Sequence, residues 1–373
     1  MKTKSIKKAL ILSAYQTKSH KYWCNGLLKN FGQIQWQLLE LPPRYFHWRI
    51  RGNGLIWAHN FESELSQNYN IVIATSMADL NSLYGFMPKL AAIPSILYFH
   101  ENQFVYPMTA KSKQRIEPMI VQLYSAICAS KLCFNSEYNK SSFFSGAEKL
   151  LKNLPDFVPK NLVSKLESKS VLLPVPIVDS GFYPQRNKTE KFSILWNHRW
   201  EYDKWPECFF DALIRLKQKN IDFDLYVLGQ QFRKQPKVFE EMQVYFSSHI
   251  KQWGFVESEE EYRCILAKCD VVVSTALHEF QGLAVMEAVT LGCTPVVPDR
   301  LAYPQFFEEN YRYPSCPENL EIQSQFLAEK LEKLFRMYEN GSDLGVPDIS
   351  HLSWSQQKPL YQEMMNAVVD NTF

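Results

Sequence analysis

Short runs of consecutive apolar residues recur along the chain, each followed by a polar cluster and then by a stretch with helical spacing. Runs of that kind mark strands buried on both faces of a parallel sheet, with the helices serving as crossovers. The pattern predicts strands at 9–14, 38–41, 71–75, 95–99, 132–135 and 171–176, and a second set at 193–196, 223–228, 271–273 and 294–298. Helices are predicted through Leu27 and Leu28, from Ser136 to Phe144, over 206–219, around 236–249, after Gly282, and over 323–339. A further amphipathic segment lies at 356–369. Between the two sets, residues 179–191 carry Gly181, Pro184 and clustered charges, the composition of a linker. The expectation is an α/β chain of two doubly wound, Rossmann-like domains. They are a first domain over 1–180, a linker over 181–191, a second domain over 192–345, and a segment over 346–373 that crosses back to the first.

A length of 373 residues fits two cores better than one. The N-terminal Lys-rich start and short apolar run read as a first strand, because the run meets Tyr15, Lys18 and His20 too soon for a signal peptide. No apolar run reaches about 18 residues, so no membrane span is expected. Eight cysteines include no Cys-x2-Cys pair, which points to reduced thiols in the cytoplasm. The net charge of +2 conceals an asymmetry, since residues 1–180 hold 21 Lys and Arg against 11 Asp and Glu, and the remainder 20 against 28. A basic N-terminal half is expected to meet a polyanion.

Candidate chemistry gathers at the ends of strands, where α/β sheets collect their ligands. After the strand at 271–273, Glu279 precedes a helix start and Glu287 lies about five residues into the helix, on the order of 7.5 Å along its axis. A helix N-terminus favours phosphate or sugar oxygens, so two carboxylates bracketing one suit a nucleotide sugar. Arg199 and Lys204, after the strand at 193–196, supply the cations that a diphosphate needs. Ser19 and His20 follow the first strand, in what reads as its exit loop, and His100-Glu101-Asn102-Gln103 follows the fourth. Residues 42–51 interleave Arg44, Arg49 and Arg51 with Tyr45, Phe46, His47 and Trp48, a combination that joins phosphate contacts to stacking on an exposed base.

The spacing of Glu279 and Glu287, with Phe280 and Gly282 after the first, resembles the donor loop of retaining glycosyltransferases of the GT-B fold. Tyr-x-Thr-x-Ser-His-Lys (15–21), His-Trp-Arg (47–49), Tyr-Phe-His-Glu-Asn-Gln (98–103), His-Arg-Trp-Glu-x-Asp-Lys-x-Pro-Glu (198–207), His-Glu-Phe-x-Gly (278–282) and Tyr-Pro-Gln (303–305) together resemble the tRNA-queuosine α-mannosyltransferase family. Two positions depart from that pattern: Lys18 stands where relatives carry Gly, and Gln281 where they carry an aromatic.

The resemblance implies two domains facing across a cleft, GDP-mannose as donor, and the cyclopentenediol of queuosine in tRNA as acceptor. It implies that Arg199 and Lys204 hold the leaving diphosphate and Glu287 the ribose hydroxyls. Glu279, with the amides of Phe280, Gly282 and Leu283, would hold the mannose, faced by His100 and by His20 with Ser19. Arg44, His47, Trp48, Arg49, Arg51 and Asn102 are expected on the acceptor side. No metal or other cofactor is expected, because two cations, Arg199 and Lys204, take a metal's place. The alternatives are a retaining enzyme acting on a lipid or small-molecule acceptor and a noncatalytic RNA-binding module.

Overall fold

The computed structural model describes residues 5–105, 116–179, 191–232 and 234–370, so most of the linker expected at 181–191 lies outside the described residues. The chain divides into one unit of Met1–Pro176 with Trp354–Phe373 and another of Ile177–Ser353. The first holds β1 (Lys8–Ser13), β2 (Gln35–Glu40), β3 (Ile71–Thr75), β4 (Ser95–Phe99), β5 (Lys131–Phe134) and β6 (Ser170–Leu172). The second holds β7 (Ser193–Asn197), β8 (Asp224–Leu228), β9 (Ile250–Gly254), β10 (Val271–Val273), β11 (Thr294–Pro298) and β12 (Arg312–Tyr313).

Both sheets are parallel throughout, in the orders β2-β1-β3-β4-β5-β6 and β12-β11-β10-β7-β8-β9. In the first the winding reverses between β1 and β3, and in the second between β7 and β10. At such a reversal the loops from adjacent strand ends diverge to opposite faces and leave a crevice. β3, β4, β5, β7, β8, β10 and β11 are buried at every position, which is why they read as unbroken apolar runs. The edge strands β9 and β12 escape that reading: β9 carries Lys251 and Gln252 on a partly exposed edge, and β12 has two residues.

One expectation is corrected. Ser19 and His20 stand in the first turn of the helix Lys18–Asn30, not in the loop before it. Residues 46–51 open the helix Phe46–Asn60. The glycines at 52 and 54 weaken that helix intrinsically, so tertiary contacts hold it: the Asn53 amide donates to Met77 O at 3.1 Å and its carbonyl accepts from Asp79 N at 2.8 Å.

The helix Trp354–Asp370 belongs to the first unit, where Trp23 Nε1 donates to the Tyr361 hydroxyl at 3.0 Å and Trp354 packs beside the Tyr361 ring. Among the described residues no helix is long and apolar enough to cross a membrane.

Candidate active site

In the second unit, the loops leaving β7 and β10 are laced together at the winding reversal. Leu277 N donates to Asp203 O at 2.8 Å, Thr275 Oγ1 donates to Lys204 O at 2.7 Å, and Lys204 Nζ donates to His278 O at 2.7 Å and to Glu279 Oε2 at 3.2 Å. Asp203 Oδ2 lies 3.4 Å from the same ammonium. Burial would pull Lys204 down, but Glu279 and Asp203 outweigh it and hold the ammonium above its ordinary range. Burial opposes charge on Glu279 as well, and Lys204 outweighs it, bringing the carboxyl down to about 2. Arg199 is half-exposed, with Nη1 2.6 Å from Glu201 and Nη2 4.0 Å from Asp203.

Glu279 Oε1 accepts from the amides of Phe280 at 3.1 Å and Gln281 at 3.4 Å. The Phe280 amide expected to meet a sugar is thus engaged by the preceding carboxylate. Gly282 caps the helix Leu283–Thr290 at φ +84°, and a Cβ there would stand 2.9 Å from the Tyr303 ring. Tyr303 is anchored in turn on Ser274 Oγ at 2.6 Å. Glu287, in the helix, accepts from Tyr262 Oη at 2.8 Å, and Tyr262 accepts from Asn197 Nδ2 at 2.7 Å. Both predicted carboxylates therefore flank one helix start, Glu279 on the cation and Glu287 on a tyrosine.

His198 is buried beside this pair. Burial first, then Lys204, push its imidazole down to about 4; the ring bonds the Val273 backbone, and Nε2 has no partner among the described residues. Gly229, at the end of β8 with φ +143°, lets the His198 carbonyl pass where a Cβ would lie 1.7 Å from it.

In the first unit, the ends of β1 and β4 place His20 and His100 in contact, with ring centroids 4.3 Å apart. His20 Nε2 lies 3.0 Å from Glu101 Oε2. Burial and the neighbouring His20 hold His100 well below the usual histidine range, so it is a neutral imidazole, and its Nε2 has no partner among the described residues. Ser19 is exposed and bonds Thr17 Oγ1 at 3.1 Å.

The acceptor-side residues divide. Arg44, His47 and Trp48 are exposed, whereas Arg49 is buried. Arg51 is ion-paired, 2.9 Å from Asp79 and 3.3 Å from Glu117. Asn102 is fully buried: its amide donates to Asn139 and Ser142 and its carbonyl accepts from Phe104 N, so it braces the loop after β4 and presents no surface to an acceptor.

Comparison with known proteins gives this geometry its family. Residues 8–177 match the model of the tRNA-queuosine alpha-mannosyltransferase N-terminal domain, and residues 191–335 that of glycosyl transferases group 1. The chain is 32% identical over 339 residues to the tRNA-queuosine alpha-mannosyltransferase of Drosophila melanogaster, covering 88% of this chain and 87% of the relative. The chain belongs to the tRNA-queuosine alpha-mannosyltransferase family. It is a glycosyltransferase of the GT-B fold. Solved structures share that fold at low identity. The catalytic domain of starch synthase IV from Arabidopsis thaliana, bound to ADP and acarbose, aligns with a TM-score of 0.70 at 12% identity, over 98% of this chain and 100% of the other. Anabaena Alr3699/HepE, in complex with UDP and glucose, aligns at 0.69 and 12%, over 97% and 100%.

Within this mannosyltransferase family member, sequence reasoning missed His198, Asp203, Tyr262 and Tyr303 as parts of the site. His198 and Asp203 lie in the string 198–207, so a signal was present. Tyr262 carried none, because it meets Glu287 only through the packing of two helices.

Proposed function

We propose that this protein transfers mannose from GDP-mannose to a cyclopentenediol hydroxyl of queuosine in tRNA, in the cytoplasm and with retained anomeric configuration. The observation that carries the reading is the union of Lys204 and Glu279 at the winding reversal of the second sheet, in a chain of this family. Lys204 and Arg199 bind the diphosphate and offset the negative charge that develops as it departs. On donor binding Arg199 exchanges its Glu201 contact for phosphate, which its half-exposed position permits. Glu287, held by Tyr262, accepts the ribose hydroxyls, while Glu279 orients the sugar. In the first unit, neutral His100 keeps an open Nε2 that can bond a ligand hydroxyl.

Attack comes from the face that the diphosphate leaves. The acceptor oxygen bonds to the anomeric carbon as the bond from that carbon to the phosphate oxygen breaks. The departing β-phosphate takes the hydroxyl proton, and GDP is released. The test is mannose transfer from labelled GDP-mannose to one tRNA prepared with and without queuosine. Label confined to the queuosine-containing tRNA is expected. Equal label in both tRNAs, or label only in a lipid extract, would overturn the reading.

A further inference from the structure

The helix Phe46–Asn60 begins without any of the usual devices. Its N-cap is Tyr45 in the left-handed region at φ +55°, no side chain caps it, and its first turn holds no acidic residue. The first helical bond runs from Arg49 N to Tyr45 O at 2.8 Å, so the amides of residues 46–48 are the ones that no helical carbonyl can take. Arg49 sits one turn in, and helical side chains lean toward the N-terminus. Its side chain is 7% exposed, and its Nε has no partner among the described residues. The charge that bears on it is that of Arg44, and among the described residues no carboxylate pairs with it. Tyr15 meets Phe46 edge-on at 6.0 Å, which puts these groups around the start of the helix.

A buried guanidinium without a counter-ion costs free energy, and a second arginine nearby adds to the cost. An anion at the helix start would answer the orphan amides, the dipole and both arginines together. We propose that Arg49, with Arg44 and the amides at the start of the helix Phe46–Asn60, forms a phosphate site that takes a backbone phosphodiester of the acceptor RNA. The choice of RNA rests on the proposed function and on the rim: Tyr45 and Trp48 are 73% and 52% exposed beside the site, with His47, and offer faces on which bases stack.

The test uses the full chain, Arg49→Gln, Arg49→Lys and an unmodified tRNA transcript, so that it reads binding and not mannose transfer. Arg49→Gln is expected to weaken transcript binding by about tenfold or more at low salt and to lower the log–log salt slope by about 0.9. Affinity for GDP-mannose is expected to stay unchanged, and the melting temperature to hold or rise, since the variant removes an unpaired buried charge. Inorganic phosphate should raise the melting temperature of the unmodified chain more than that of Arg49→Gln. Arg49→Lys, which keeps the charge and loses the fork, should weaken binding at an unchanged slope, and it carries the test should Arg49→Gln fail to fold. Two outcomes overturn the proposal. One is lost GDP-mannose affinity with transcript binding intact, which assigns the site to the donor. The other is a fall in melting temperature with both affinities intact, which makes Arg49 a packing residue. Failed mannose transfer with these binding results intact would sink the acceptor chemistry and leave the phosphate site standing.

Discussion

Lys204 and Arg199 look alike in the sequence, yet their surroundings give them different duties. Lys204 is buried against Asp203 and Glu279, whereas Arg199 is half-exposed on Glu201. Lys204→Met would leave two carboxylates facing each other without their cation, at a cost of about 3–5 kcal/mol, and should lower both melting temperature and turnover. Arg199→Ala should lower turnover by about 100-fold or more while stability moves by about 0.5 kcal/mol or less. Equal losses of stability in the two variants would refute this division. His198 supplies a pH dependence. Its folded value of about 4 lies below its ordinary 6.5, so the unfolded chain takes the proton first, and stability present above pH 6.5 is lost as pH falls toward 4. The loss is about 3 kcal/mol at ~1.36 kcal/mol per unit. Chemical denaturation of His198→Gln across that range should show a flatter curve than the unmodified chain, and parallel curves would remove His198 as the source.

At the scale of elements, the site depends on how closely two strand exits approach. β7 and β8 are neighbours, and Gly229 at the end of β8 leaves room for the His198 carbonyl just beyond β7. A methyl group there has backbone against it, so the exit loop carrying Arg199 and Lys204 must shift. Gly229→Ala should therefore reduce donor affinity along with stability, whereas Ala at Gly341, whose surroundings are open, should cost only the left-handed strain of about 1–2 kcal/mol. Calorimetry with GDP and thermal melts on both variants separate the cases. Full donor affinity in Gly229→Ala would mean that the loop does not depend on this approach. The helix Phe46–Asn60 shows the complementary case: its glycines and missing cap hid it from sequence reasoning, while Asn53 holds it from within.

For the whole molecule, the basic excess of residues 1–180, 21 Lys and Arg over 11 acids, predicts that tRNA affinity falls steeply with salt. The structure decides which arginines contribute. Arg51 already faces Asp79 and Glu117, so Arg51→Ala should change the log–log slope by much less than one unit, while Arg44→Ala should lower it by about one. Filter binding from low to moderate salt checks the contrast. Equal slope changes would show that Arg51 leaves its carboxylates for phosphate.

The strands of the two sheets other than β9 and β12, the helix start between Glu279 and Glu287, and the cations after β7 were legible in the chain because each is a local signal. Buried parallel strands leave apolar runs, and a site built on strand ends leaves polar clusters just after them. The strings around 98–103 and 198–207 carried the family as well, which the comparisons bear out. Tertiary structure alone decided what each polar group does. Asn102 and Arg51 have the composition of a binding surface, but neighbours distant in sequence, Asn139 at one and Asp79 at the other, turn them into braces. Tyr262 came to Glu287 by helix packing, and burial beside Lys204 made His198 a neutral imidazole. Burial and pairing are properties of the surroundings, and the winding reversal that joins Lys204 to Glu279 across 75 residues exists only once the sheet has formed.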